Sequence, residues 1–389
     1  MIVVDETALV ADLSAMIRIP SVNRFGADDP ANPAEAGMAD YFESRLLALG
    51  LAVHSHTVAD GRRNVWGRLK GRGDGPTILL AGHMDTVGVA GYAAPFEPAL
   101  KDGRIYGRGS CDMKAGLAAY LEVARILQSS GQELSGDVII AGVIDEEHAM
   151  RGSVDFGING PKADCAIVAE PTQLALCPAH KGQILMTLRT SGVSAHSSMP
   201  DAGVNAIYHM ADVLGALQDY ARALSQRAPD PFCGVPSFSV GVIRGGDNAC
   251  SVPDFCEIDI DRRTIPGETF AGVMAELKAV MKGVQSSRTE LNYHYCTPSL
   301  NLPPLDTAQD APVMRALQTS CTQVLGHPSV VQVFPGSTDA PNFNCPTVIC
   351  GAGDLAQCHS LNEYIAVDQI VDAVKIYVSA IKTLMDTKG

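Results

Sequence analysis

Two polar side chains follow the first strongly apolar segment of the chain, in the stretch LLAGHMDT (residues 79–86). Apolar and small residues run into Gly82, and His83 and Asp85 follow two positions apart. An apolar run bounded by glycine is typical of a buried strand, and residues i and i+2 of an extended segment point to the same side. In open α/β sheets, ligands bind in the crevice beyond the carboxyl ends of the strands. We therefore expect His83 and Asp85 to enter such a crevice together, although a core histidine bonded to a turn aspartate would fit the same pattern.

More carboxylates stand where predicted elements begin or end. Asp112 follows the glycine-rich GRGS and precedes an apolar helix, a position that would also suit a helix N-cap. The apolar strand DVIIAGVI ends in three consecutive acids, whose mutual repulsion at a buried strand end is costly unless a cation or solvent compensates. The strand DCAIVA leads to a further glutamate, and a later strand is followed by a histidine. The candidate residues are His83, Asp85, Asp112, Glu146, Glu147, Glu170 and His359.

Two imidazoles and several carboxylates form a ligand set that suits Zn²⁺, or Co²⁺ and Mn²⁺ as substitutes. Three protein ligands per metal with one shared carboxylate would hold two ions ~3.5–4 Å apart with a bridging hydroxide between them. These residues therefore predict a centre of two metal ions that holds a hydroxide.

The elements around these residues predict a doubly wound, mixed α/β sheet. Strands that end in Asp or Glu alternate with helices in residues 1–182, and the same pattern resumes in residues 299–389. Residues 183–298 follow the order β-α-β-β-α-β, which is that of a ferredoxin-like domain. A chain of 389 residues exceeds the usual size of one domain. We therefore predict a discontinuous catalytic domain with an inserted lid or dimerisation domain.

Composition excludes several classes of protein. The net charge of −14 argues against nucleic acid or an anionic membrane as a partner. The first residues lack the basic and apolar regions of a signal peptide, and no run approaches the ~18 apolar residues of a spanning helix. The eleven cysteines include no C-x-x-C pair, so we expect reduced, buried thiols and a cytoplasmic protein.

Eight motifs occur in one order along nearly the whole chain: AGHMDTV, YGRGSCDMKAG, DEE, EPT, HKG, HSSMPDAGVNAI, DRRTIPG and CHSLNEY. Together they resemble the dizinc amidohydrolases that include acetylornithine deacetylase, succinyl-diaminopimelate desuccinylase, aminoacylase and glutamate carboxypeptidase. The resemblance implies two zinc ions. His83, Asp112 and Glu170 would bind one zinc, and Asp112, as the bridge, would bind the other with Glu147 and His359.

The resemblance also assigns catalytic roles. Asp85 would hydrogen-bond His83 and fix its ring and tautomer. Glu146 would be the general base that takes a proton from the bridging water and then protonates the leaving amine. His196, in the polar loop SAHSSMP, would reach across a homodimer interface and stabilise the oxyanion in the partner's site. From the sequence alone, a solvent-exposed loop histidine is the favoured interpretation of His196.

Three further residues match positions that recognise substrate in the family: Asn248, Arg263 and Thr338. Arginine suits this task because its planar fork binds a carboxylate bidentately. A turn asparagine and a surface ion pair are the alternative interpretations of Asn248 and Arg263. The run Asp261-Arg262-Arg263 departs from the family's Asp-Ile-Arg, which leaves open which arginine faces the substrate.

The function that we predict is hydrolysis of the amide bond of a small N-acyl-L-amino acid. The motifs EPTQLALCPAHKGQI, HSSMPDAGVNAI and GSTDAPNF are similar to those of acetylornithine deacetylase, which implies N-acetylornithine as substrate and a place in arginine biosynthesis. A succinyl-diaminopimelate desuccinylase or a glutamate-type carboxypeptidase is the alternative among enzymes. A catalytically dead metal-binding scaffold is the alternative outside them.

Overall fold

The computed structural model describes residues 2–27, 29–131 and 133–386. The helices are α1 (Glu6–Arg18), α2 (Ala36–Ala48), α3 (Lys114–Ser129), α4 (Arg151–Asn159), α5 (Ala206–Leu224), α6 (Phe270–Ser287), α7 (Pro312–Leu325) and α8 (Val367–Asp386). The strands are β1 (Ala52–Ala59), β2 (Arg62–Leu69), β3 (Ile78–His83), β4 (Ala99–Lys101), β5 (Arg104–Tyr106), β6 (Val138–Val143), β7 (Cys165–Val168), β8 (Leu176–His180), β9 (Gly182–Ser191), β10 (Ala195–His196), β11 (Ser237–Gly245), β12 (Ser251–Val252), β13 (Phe255–Thr264), β14 (Asn292–Tyr295), β15 (Leu300–Leu302), β16 (Leu305–Asp306), β17 (Val331–Val333), β18 (Thr347–Ile349) and β19 (Tyr364–Ala366).

The chain forms two compact units. The first comprises Met1–Ala179, Asp306–Phe334 and Thr338–Gly389, and the second comprises His180–Leu305 and Pro335–Ser337. No helix among the described residues is long and apolar enough to cross a membrane.

The first unit contains a mixed sheet whose described strands run in the order β1-β2-β6-β3-β7-β18-β8-β16, with β17 paired to β8. The central strands β6, β3, β7 and β18 are parallel. Every residue of β3, β6, β7 and β18 is buried, because helices cover parallel strands on both faces. Their continuous apolar runs are the sequence signature of that burial, and the predicted doubly wound mixed sheet is confirmed.

The second unit is built on an antiparallel sheet in the order β11-β13-β9-β14, with β15 also paired to β9. On β13, buried and half-buried residues alternate strictly, as expected for a sheet with one covered face. The apolar faces of α5 and α6 pack on that sheet in a separate hydrophobic core. The β-α-β-β-α-β order is therefore confirmed, with the short pair β10–β12 added.

Candidate metal centre

The predicted ligands converge because the parallel strands deliver them to one edge of the sheet. His83 is the last residue of β3, and Glu170 lies two residues beyond the end of β7. Asp112 stands two residues before α3, and Glu147 lies in the turn between β6 and α4. His359 follows the short 3-10 helix Leu355–Gln357 that comes after β18.

The imidazole of His83 has carboxylates on both sides. Its Nε2 lies 3.0 Å from Asp112 Oδ1 and 3.7 Å from Glu170 Oε1. On the other side of the ring, Nδ1 lies 3.0 Å from the carbonyl oxygen of Asp85 and 3.5 Å from its Oδ1. Asp85 therefore contacts the ring nitrogen that faces away from the other carboxylates, which is the arrangement that fixes a ligand histidine.

Asp112 lies between the two histidines. Its Oδ2 is 3.4 Å from His359 Nε2, which is also 3.2 Å from Glu147 Oε2. Ligand atoms of His83, Asp112 and Glu147 all lie within 4.8 Å of one another. A single carboxylate thus faces two neighbouring groups of ligand atoms, one around each histidine.

Burial and charge shift the acid–base equilibria of the carboxylates. Burial raises the pKa of Glu146 well above its ordinary value, and the charges of Glu170 and Asp339 add to this effect. Burial, together with the charge of Asp112, raises the pKa of Glu147 to about 7.

The histidines respond in the opposite direction. Burial disfavours the charged form of His83, but its hydrogen bonds with Asp112 and Asp85 outweigh that effect, and its pKa is raised well above the ordinary value. Hydrogen bonds with Asp112 and Glu147 raise the pKa of His359 to about 10.

The residues fit a divalent metal. Oε1 of Glu147 and Oε1 of Glu170 are buried and accept no hydrogen bond within the described residues. Buried carboxylate oxygens of this kind are paired or coordinate metals. A metal with imidazole and carboxylate ligands would satisfy these oxygens and replace the protons on His83 and His359.

The remaining predicted residues lie elsewhere. His196, on β10, and Asn248 come together in the second unit, because β10 pairs with β12 just after Asn248 and places His196 opposite Ser251. The imidazole of His196 is exposed, and its Nδ1 lies 2.7 Å from the Ser198 hydroxyl. Asn248 is also exposed and caps its own turn by accepting from the Cys250 N–H.

The two candidate arginines of the second unit differ in environment. Arg262 is buried, and its guanidinium pairs with Glu268 at 2.7 Å and with Tyr220 Oη at 3.3 Å. The Arg263 side chain is 34% exposed and pairs with Asp261. The guanidinium of Arg262 is thus paired within the second unit, while Arg263 stays the candidate for binding a substrate carboxylate.

Thr338 belongs to the first unit and is buried, and its hydroxyl accepts from the Ala340 N–H. Its neighbour Asp339, to which the sequence reasoning gave no role, is also buried and close enough to the centre to raise the pKa of Glu146 and Glu170. Thr338 is thus the sequence neighbour of a residue close to the candidate metal centre, and its contact with substrate stays a prediction.

Sequence reasoning missed two other buried polar residues that support the centre. Asn23 donates from Nδ2 to Asp85 at 2.8 Å. The Glu363 carboxylate accepts from the backbone N–H groups of Cys111 and Asp112 at 2.8 and 3.1 Å. Glu363 lies in the quoted motif CHSLNEY, and the available signal was that it is the only acidic residue of that motif.

Comparison with known proteins identifies the family. Residues 79–383 match the model of peptidase family M20/M25/M40. The chain belongs to this family. It is therefore a metallohydrolase, and the candidate metal centre lies within the matched residues.

Individual relatives agree with the family. Acetylornithine deacetylase of Vibrio vulnificus is 31% identical over 374 residues, which cover 93% of this chain and 95% of that protein. A tripeptidase from Staphylococcus aureus has the same fold, with a TM-score of 0.76 at 21% identity over 98% of this chain and 99% of that one. The YXEP protein of Bacillus subtilis, described as a dinuclear metal binding peptidase, has a TM-score of 0.72 at 16% identity and covers 98% of this chain and 99% of its own.

Proposed function

We propose that this M20 family member hydrolyses the amide bond of N-acyl-L-amino acids and that its substrate is N-acetylornithine. The observation that carries the proposal is the cluster of His83, Asp112, Glu147, Glu170 and His359, with the unliganded Glu146 beside it. Relatives about 31% identical over most of the chain are acetylornithine deacetylases, which supports the acetyl and ornithine parts of the proposal.

Two zinc ions, or Co²⁺ or Mn²⁺ in their place, would be held by His83, Asp112 and Glu170 and by Asp112, Glu147 and His359. When bound, the metal supplies Lewis-acid polarisation and lowers the pKa of water. The same positive charge also stabilises the ionised form of the carboxylates that the pKa shifts describe.

Glu146 is the residue that moves the proton. It lies 4.0 Å from His83 Nε2 and is not needed as a ligand, so its carboxylate is free to accept a proton from the attacking water. It then returns that proton to the amine that leaves when the C–N bond breaks. A carboxyl whose pKa is raised by burial is suited to both steps at neutral pH.

The buried carboxylate of Asp339 favours a substrate with a positively charged side chain. Its carboxylate oxygens are buried and make no hydrogen bond within the described part of the chain, while the nearby Ser153 hydroxyl donates to the carbonyl of Met150. Burial raises the pKa of Asp339 to about 7, with the charges of Asp85 and Asp145 adding to the effect. The δ-ammonium group of ornithine would compensate such a carboxylate, and the side chain of an uncharged amino acid would not.

The dimer is part of the proposal. In the second unit, β11 is an edge strand, and Val242 and Ile243 on it are 41% and 54% exposed. A groove of about 410 Å³ lies beside it, lined by residues of α5 and β11 that include Leu214 and Val240. An exposed apolar edge favours pairing with a second copy, and we expect His196 to act on the partner's site.

A panel of N-acyl amino acids tests the substrate. N-Acetylornithine is expected to have the highest kcat/KM. N-Acetylnorvaline lacks only the δ-amine and therefore measures the contribution of that group. Succinyl-diaminopimelate and N-acylglutamate test the desuccinylase and carboxypeptidase alternatives. Asp339→Asn should abolish the preference for N-acetylornithine over N-acetylnorvaline. An equal or greater kcat/KM for either alternative substrate would contradict the proposed specificity.

Removal of metal with a chelator should abolish activity, and added Zn²⁺ or Co²⁺ should restore it. Glu146→Gln should lower kcat by about 10²–10⁴-fold with metal still bound, whereas Glu43→Gln, which loses an ion pair with Arg63 away from the centre, should not. Full activity of Glu146→Gln would exclude the mechanism, and no hydrolysis of any substrate by the wild type would favour the metal-binding scaffold.

Mixing experiments test the role of His196. Dimers reassembled from equal amounts of His196→Ala and Glu146→Gln chains should recover about a quarter of wild-type activity, since half of the dimers are mixed and each has one intact site. Recovery should require an intact β11 edge, and Ile243→Lys should yield monomers by light scattering. Absence of recovery from dimers that do exchange subunits would show that His196 does not act in trans.

A further inference from the structure

The turn that carries Glu146 and Glu147 is bound to Asp85, the same residue that contacts His83. Oδ1 of Asp85 accepts from the Glu146 N–H at 3.2 Å, and Oδ2 accepts from the Glu147 N–H at 3.1 Å. The Asp85 carboxylate, whose Oδ1 lies 3.5 Å from His83 Nδ1, therefore also fixes the backbone of the turn. The backbone carbonyl of Asp85 lies 3.0 Å from the same ring nitrogen, so Asp85 as a whole links His83 to the turn that carries Glu146 and Glu147.

Asn23 holds Asp85 in this orientation. Its Nδ2 donates one hydrogen to Asp85 Oδ2 at 2.8 Å and the other to Asp145 Oδ1 at 3.0 Å. Asn23 is itself fixed, because its Oδ1 accepts from the Phe25 N–H at 2.8 Å and its backbone N–H donates to the Thr86 carbonyl at 2.8 Å. It is 2% exposed, so water does not compete for these hydrogen bonds.

Asp145 is the anchor on the other side of Asn23. It stands at φ 68°, in the left-handed region that starts the turn, and its side chain is fully buried. Arg62 Nη1 lies 3.0 Å from Oδ1, and Arg151 Nε donates to Oδ2 at 2.6 Å. Arg62 pairs in turn with Glu35, so the charges of the anchor are balanced within the fold and need no metal.

We infer that Asn23 is a positioning residue for the metal centre: it ties Asp85 to the anchored Asp145 and thereby sets His83 and Glu146 relative to each other. This role rests on the proposed function, because it acts through the ligand and the base of that reaction. Asn23 touches neither the reacting atoms nor a metal ligand directly. A positively charged side chain at this position would neutralise Asp85 and weaken its hold on His83, whereas a neutral amide supplies two donors without that effect.

The alternative is that Asn23 only stabilises the fold. Thr307 is a matched control, because its buried hydroxyl also makes two hydrogen bonds, donating to the Thr347 carbonyl at 2.6 Å and accepting from the Thr347 N–H at 3.0 Å. Those bonds lie at the start of β18, away from the centre. Thr307→Val and Asn23→Leu should therefore both lower thermal stability, while only Asn23→Leu should affect Co²⁺ binding.

The test is titration of chelator-treated, full-length protein with Co²⁺, followed by absorption in the visible range. Asn23→Leu and the smaller Asn23→Ala should weaken Co²⁺ binding by ~10–100-fold, as for other partners of ligating side chains, and Thr307→Val should bind as the wild type does. At saturating Co²⁺, kcat of the Asn23 variants should stay at least ~10-fold low with KM little changed, and Asn23→Gln should recover part of the loss.

Wild-type affinity for Co²⁺ and wild-type kcat in both Asn23 variants would overturn the inference. Equal loss of Co²⁺ affinity in Thr307→Val would also overturn it, because the effect would then follow stability alone. The Co²⁺ titration tests the positioning role of Asn23 even if the wild type hydrolyses none of the proposed substrates. Failure of the proposed function is seen separately, in the substrate panel.

Discussion

Substitution of Glu363 by glutamine should destabilise the first unit and disturb the segment that carries Asp112. Glu363 is fully buried, and its Oε2 pairs with Arg108 Nη1 at 2.6 Å and accepts from the Gly109 N–H at 3.0 Å. Its Oε1 accepts from the N–H groups of Cys111 and Asp112. Glutamine keeps one acceptor oxygen but turns an NH₂ group toward donors.

The size of the expected stability loss follows from the burial of Arg108, the ion-pair partner of Glu363. Removing one partner of a buried ion pair costs about 3–5 kcal/mol, because the other charge stays buried without compensation. Burial raises the pKa of Glu363, so removing its charge also relieves some desolvation, and we expect the lower end, about 3 kcal/mol. At about 2–4 °C per kcal/mol for a unit of this size, the midpoint should fall by about 6–12 °C.

Urea unfolding followed through tryptophan measures the loss of stability of the first unit directly. The only tryptophan of the sequence, Trp66, lies in β2 of that unit and packs edge-on against Phe156. Asp74→Asn, which breaks the exposed pair with Arg72, is the control and should cost under about 0.5 kcal/mol. The double variant Arg108→Met/Glu363→Gln should regain part of the stability. A loss below about 1 kcal/mol in the single variant would refute the reasoning.

Two further predictions concern the region around the second unit. Burial lowers the pKa of His180 to about 4, so between about pH 6.5 and pH 4 the unfolded chain binds a proton that the folded chain does not, and acid destabilises the fold. His180→Asn should remove up to about 3 kcal/mol of this acid destabilisation, measured as the free energy of unfolding by circular dichroism at pH 7 and pH 4.5. The same difference between the two pH values in the variant and the wild type would contradict this prediction. Arg262→Leu should lower stability by about 1–3 kcal/mol, because the Glu268 carboxylate loses its buried partner and keeps only the more exposed Arg227. Arg263→Leu should leave stability within about 0.5 kcal/mol and raise KM, and the reverse pattern would exchange the roles of the two arginines.

The sequence was sufficient where a local pattern had a single structural solution. Continuous apolar runs such as 138–143 could only be buried strands, and each run directed the polar residue at its end to the same edge of the sheet. His54 and His56 alternate along β1, a pattern typical of the solvated face of an edge strand, and both are exposed on the outermost strand of the sheet.

The residues that hold the candidate metal centre in place, Asn23 and Glu363, could not be predicted in this way. Asn23 meets Asp85 across 62 positions of the chain, and Glu363 meets Cys111 across 252. Both lie in irregular segments with no periodicity, where a polar residue is expected to be solvated. Only tertiary packing shows that these side chains are buried, that Asn23 donates to the carboxylates of Asp85 and Asp145, and that Glu363 accepts from backbone N–H groups.

The sheet order has a consequence for biosynthesis. β18 lies between β7 and β8, although β7 and β8 follow each other closely in the chain and the whole second unit is made before β18. A nascent chain therefore carries two unpaired strand edges until Thr347–Ile349 leave the ribosome. Because His359 comes later still, the proposed ligand set of Asp112, Glu147 and His359 is complete only after β18 has been made, whereas His83, Asp112 and Glu170 all precede that strand.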